Sequence, residues 1–105
     1  MFTTALADGE IITRVGFAVP QRSAYAKFRH PASRYAIVGV YVAQHGHGWR
    51  VAVTGAAPSV FRWAAAEAAL DAGADTAGIA MPADDLNSDI HASADYRAHL
   101  CGVML

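Results

Sequence analysis

Few residues in this chain carry reactive chemistry, and their spacing limits what they can do. His45 and His47 alternate in the stretch His45-Gly46-His47-Gly48, so both imidazoles can point to one side. With a third ligand such as His30 or His91 they would form a metal site. The plainer reading is a solvated glycine-rich turn. Cys101 lies two residues from His99, and residues two apart on a helix do not face each other. The thiol therefore reads as a buried, inert side chain. Asp84-Asp85 followed by Asp89 faintly resembles a calcium loop. It lacks the glycine and the closing glutamate such loops need, so it reads as a solvated acidic loop. Lys27 and Arg29 alternate on one strand face, with Arg22 and Arg34 nearby. Such a patch can contact a phosphate, a carboxylate or an anionic cofactor; the alternative is an ordinary charged strand face. A G-x-S-x-G elbow, a phosphate-binding loop and a C-x-x-C pair are all missing. No catalytic or metal-ligating set is assigned from the residues.

The elements that must position these groups fit in 105 residues, the size of one domain. Eight Lys+Arg against nine Asp+Glu give a formal charge of -1, which argues against a module that works by neutralising nucleic-acid phosphates. Hydrophobic residues make up 54% and charged residues 16%, which excludes disorder. Alanine, at 24 positions, accounts for part of that excess. The rest suffices for one core, and a small domain with this balance must place apolar groups outside or against a partner. No apolar run approaches the length of a membrane span. The start, Met1 to Glu10, has no basic region and carries Asp8 and Glu10, so it does not read as a secretory signal. One cysteine cannot form an internal disulfide, which fits a cytoplasmic protein. The basic residues are seven arginines and the single Lys27.

Periodicity supplies the elements. Gly9 to Val19 alternates as a strand, with Ile11, Thr13, Val15, Phe17 and Val19 on a core face and Ile12 as the lone large apolar group on the other. Pro20 ends it. Ser23 to Phe28 is extended, and His30-Pro31 breaks it. Tyr35 to Ala43 is rich in β-branched and aromatic residues and apolar on both faces, hence central, covered by helices on one side and by something else on the other. Trp49 to Thr54 returns antiparallel to it through the His45–Gly48 turn. Phe61 to Ala72 is alanine-rich and helical, stopped by Gly73. Ala74 to Pro82 has no clear pattern, and Asp84 to Ile90 is a polar loop. Ser93 is an N-cap, with Asp95 in the first turn, for a helix from Ala94 to about Met104. Three or four strands followed by helices predict an α+β fold, an antiparallel sheet with helices packed on one face.

Several stretches together resemble the C-terminal domain of the FAD-binding medium subunit of molybdenum hydroxylases, the carbon monoxide dehydrogenase and xanthine dehydrogenase family. They are Thr3-Thr4-Ala5-Leu6 through Gly9-Glu10-Ile11-Ile12-Thr13-Arg14-Val15, Ala24-Tyr25-Ala26-Lys27-Phe28-Arg29, and Ser33-Arg34-Tyr35-Ala36-Ile37-Val38-Gly39-Val40. Gly55-Ala56-Ala57-Pro58 with Arg62, Glu67-Ala68-Ala69-Leu70, and Asp89-Ile90-His91-Ala92-Ser93-Ala94-Asp95-Tyr96-Arg97-Ala98-His99-Leu100 follow in the family's order. Between Leu70 and Asp89 the chain departs from the pattern, which has a fuller helix there.

The resemblance implies that residues 1–20 are the end of a FAD-binding part and residues 21–105 the flavoprotein C-terminal domain. It implies a role in electron transfer from iron–sulfur clusters to flavin, inside an oxidoreductase that also has an iron–sulfur small subunit and a molybdopterin large subunit. The glycine-rich loops that bind most of the FAD in that family are not in this sequence, so activity of the chain alone is not expected. Two positions carry over to the cofactor: Ile12 resembles an aliphatic residue packed near the FAD, and Lys27 a lysine close to the flavin ring. A cation there would stabilise negative charge on reduced flavin. Asp89, Ser93, Tyr96 and Arg97 read as residues that fix the last helix, Ser93 as its cap and Asp89 and Arg97 as polar partners. The alternative is a free-standing module, without catalytic activity, that self-associates or binds another protein through apolar surface.

Overall fold

The computed structural model describes residues 5–105. A four-stranded antiparallel sheet forms from β1 (Arg22–Arg29), β2 (Ala36–His45), β3 (Gly48–Thr54) and β4 (Phe61–Arg62), in that spatial order. Two helices follow, α1 (Ala64–Asp71) and α2 (Ala94–Met104). The architecture is α+β, as the order of strands and helices predicts. Thr3 and Thr4 of the first resembling block, and residues 1–4 of the proposed entry segment, lie outside the described residues.

Residues paired directly across an antiparallel sheet share a face. Val38 pairs with Phe28, Val40 with Ala26 and Val53, and Val42 with Ala24 and Val51. This face carries the core, in which Val38, Val40, Val51 and Val53 meet Trp63, Ala66, Leu100 and Cys101. Each fully buried valine contributes about 1.5–3 kcal/mol relative to exposure. α1 packs on β3, and α2 on β2 and β1. Phe28 meets Tyr96 of α2 edge to face, ring centres 6.2 Å apart.

Helix ends follow local chemistry. Ser93 Oγ accepts from Tyr96 N at 3.2 Å, capping α2. α1 ends where Gly73 turns left-handed, φ 67°. Gly73 N then donates to Leu70 O and Ala74 N to Ala69 O, the paired bonds of a Schellman ending.

Two elements differ from their sequence patterns. Phe61 and Arg62 are not helical: they pair with Val53 and Ala52, so the free edge of β3 takes the residues that alanine-rich periodicity assigns to the helix. Gly9 to Val19 is not a strand. Ile11, Val15, Phe17 and Val19, expected on a core face, are all exposed. A strand is stable only with a neighbour to share its ladder, and this run reaches none among the described residues. The radius of gyration, 15.1 Å, exceeds the roughly 13 Å expected for a compact chain of this length, as an outlying arm requires. Residues 72–93 contain no helix; Ile79, Met81 and Leu86 nevertheless pack against the core.

Candidate functional site

The sheet face opposite the helices has no layer above it among the described residues. Tyr25 pairs with Tyr41, which pairs with Ala52, which pairs with Arg62. Lys27 pairs with Gly39, which pairs with Thr54. A Cβ at Gly39 would collide with the Tyr25 hydroxyl and ring and lie 2.9 Å from Thr54 Cγ2. The bare glycine therefore lets Tyr25 lie down against the backbone, beside Lys27.

Lys27 is half-buried. Its ammonium donates to Arg34 O at 3.3 Å, leaving donors for a ligand. Arg34 carries the only positive φ of a non-glycine residue among those described, 64°. The turn that imposes it is held by His30 N to Tyr35 O and Arg34 N to His30 O. His30 Nδ1 accepts from Ala32 N and Ser33 N at 3.2 Å each. Lys27 thus bridges sheet and turn while facing the open side.

The expected cationic patch is divided. Alternation puts Arg22 on the helix side, where its Nε donates to Gln44 Oε1 at 2.6 Å and its guanidinium stands 5.0 Å from the centre of the Trp49 ring. A register shift between Phe28 and Arg29 interrupts the alternation of Lys27 with Arg29. Lys27, Arg50 and Arg62 lie on the open face; Arg50 donates to Trp49 O, and Arg62 is committed to Glu67.

That commitment is a feature periodicity does not reveal. Glu67 is buried on α1, yet its carboxylate takes Arg62 Nε at 2.9 Å, Arg62 Nη2, and the backbone N–H of Val51 at 3.0 Å. Arg62 and then the Val51 N–H hold the Glu67 carboxyl below its ordinary range, against the opposing effect of burial. An acidic residue at a helix position facing an arginine five residues earlier was the available signal.

A second polar locus lies under α2. Asp89 and Arg97 pair as expected, Nη2 to Oδ2 at 2.8 Å. Arg97 Nη1 also donates to Ile37 O at 2.7 Å and Gly55 O at 3.0 Å. Asp89 Oδ1 accepts from His91 N and Ala92 N. These backbone donors, His91 first, hold the Asp89 carboxyl below its ordinary range. A cleft of about 290 Å³ opens beside the pair, lined also by His30, Ser33, Asn87 and His91. Its charged groups are occupied in tying α2 to the sheet.

The remaining candidates separate. His45 and His47 stack on each other, centroids 5.5 Å apart, while His30 and His91 form their own pair at 4.7 Å. Neither pair gains a third ligand: no group of three His, Cys, Asp or Glu residues suited to a metal ion occurs among the described residues. Cys101 is buried, and loss of solvation pushes its thiol up to about 11. His99 is exposed, with its ring stacked against Tyr96, centroids 6.5 Å apart. Asp89 is used by Arg97, so the acidic loop does not assemble as a calcium site. Ile12 is 66% exposed on the arm, and no strand aligns it with Lys27 within one chain. No helix among the described residues is long and apolar enough to cross a membrane. No protein-family model, no curated protein and no solved structure matches the chain.

Proposed function

We propose that the chain is the C-terminal domain of a molybdenum hydroxylase flavoprotein subunit, and that its open sheet face forms one wall of a FAD pocket. One observation carries this reading: the single lysine of the chain is half-buried on an open sheet face, beside two tyrosines, one of which lies flat over Gly39. A flat aromatic anion suits that surface. Tyr25 and Tyr41 offer ring contacts. Gly39, buried under Tyr25, lets that ring lie flat on the sheet. The Lys27 ammonium would stabilise negative charge on the reduced ring. Ile12, on the arm, supplies an apolar side chain to the same pocket in the complete subunit. In this reading the partners are an iron–sulfur small subunit and a molybdopterin large subunit in the cytoplasm, and the substrate reacts on another chain. This chain alone is not active.

FAD binding tests the reading. The residues here offer a wall and no glycine-rich phosphate cradle, so the purified chain will hold FAD weakly and release it on gel filtration. A yellow protein retaining stoichiometric flavin would overturn the wall reading, because the chain would then contain a complete site.

A further inference from the structure

The arm before β1 is the least satisfied part of the molecule. Ile11, Val15, Phe17 and Val19 alternate along it, and Phe17 and Val15 are 83% and 76% exposed. Next to it in sequence, β1 forms the edge of the sheet, with one side of its backbone unpaired by any strand among the described residues. Ala24 and Ala26 are exposed although they lie on the core face with Val42 and Val40. A shallow hollow of about 280 Å³ runs beside them, over Ala24, Val42 and Trp49. An alternating apolar segment without a ladder thus adjoins, in sequence, a sheet edge without a partner strand.

A two-residue hairpin cannot close the arm onto its own β1. Only Pro20 and Gln21 separate Val19 from Arg22. Two-residue hairpins use primed turns, in which the first central residue has positive φ, and proline fixes φ near −65°. We propose that the arm pairs instead with β1 of a second copy, and that the second copy returns the exchange, giving a two-fold dimer in which Glu10–Phe17 of each chain runs antiparallel to Arg22–Arg29 of the other.

Side-chain chemistry selects the register. Val15 lies opposite Ala24 and Thr13 opposite Ala26, larger side chains over the two exposed alanines, and Ile11 comes opposite the partly buried Phe28. On the other face Arg14 lies opposite Tyr25, where a guanidinium can rest on the ring. Sliding the strands by two residues in one direction sets Arg14 against Lys27, and like charges directly opposite are destabilising. Sliding them the other way carries Phe17 past β1 to Pro20. A slip of one residue turns the apolar row away from the core. Both strands are eight residues long, and an exchange about a two-fold axis is a common route to a dimer. The chosen register also sets Ile12 of one copy opposite Lys27 of the other. The inference stands on the arm and edge alone, independently of the flavin reading.

Sedimentation of the full chain tests it. The mass will be twice the 11.0 kDa of one chain, and Val15→Lys with Phe17→Lys will halve it while the circular dichroism spectrum loses only the arm's strand contribution. A chain carrying Val15→Cys and Ala24→Cys will oxidise to a covalent dimer. A wild-type monomer across a hundredfold range of concentration would overturn the proposal. So would a Lys variant that stays dimeric, or an oxidised double-cysteine chain that closes on itself as a monomer.

Discussion

Arg97 reaches from α2 across the core to Asp89, 2.8 Å from Nη2 to Oδ2, and in the same gesture to the carbonyls of Ile37 and Gly55. It is 4% exposed, so this one side chain fastens the last helix to the start of β2 and the end of β3. Asp89 is partly exposed, and solvent weakens its share of the pairing. The two carbonyls matter more, since a buried acceptor left without its donor costs its full desolvation.

Arg97→Ala will therefore destabilise the fold by about 2–3 kcal/mol. Urea unfolding will show a lower midpoint with an unchanged slope. Asp89→Asn, which can still accept from the His91 and Ala92 amides, will cost less. Equal losses in the two variants would show that the ion pair, and not the carbonyl contacts, dominates.

Gly39 and Tyr25 make a coupled pair. In Gly39→Ala the new methyl will push Tyr25 off the backbone, at a cost of about 1–3 kcal/mol. Tyr25→Ala will remove most of that penalty, so a double-mutant cycle will give a coupling energy of about 1 kcal/mol. Additive losses would place the tyrosine ring elsewhere.

Acid will loosen the molecule through two carboxylates. Glu67 and Asp89 both have folded values depressed below their ordinary ones. The unfolded chain then binds protons more readily than the folded one, so their stabilisation is present above about pH 4–5 and is lost as pH falls through the depressed values. The thermal midpoint will hold near neutrality and drop on acidification. Glu67→Gln will lower the neutral midpoint and flatten the acid limb. Parallel curves for wild type and variant would remove Glu67 from the account.

Much of the sheet is legible in the sequence because its signals are local. The run Ile37-Val38-Gly39-Val40 and the glycine turn after His45 specify the central hairpin, and Ser93 with Asp95 specifies the start of α2. Asp89 and Arg97 were legible as partners too. Phe61 and Arg62 were not, because the competition between strand and helix there is decided by the unpaired edge of β3, a tertiary fact. The arm shows the converse. Its alternation from Ile11 to Val19 is as regular as that of any strand in the chain, but alternation states only that a strand is possible, and a ladder needs a second strand within reach. For the flavin face, the residue types Tyr25, Lys27 and Tyr41 were visible. The seat that Gly39 gives the Tyr25 ring emerged only when register put the two side by side.

The central claim, that the open face of the sheet is a flavin wall, is tested most directly by following backbone amide resonances of the chain as FAD is added to millimolar concentration. The account predicts small, saturable shifts centred on Tyr25, Lys27, Gly39, Tyr41 and Thr54, weakened several-fold in Lys27→Ala with its fold unchanged. Shifts centred elsewhere, or none on that face, would contradict it.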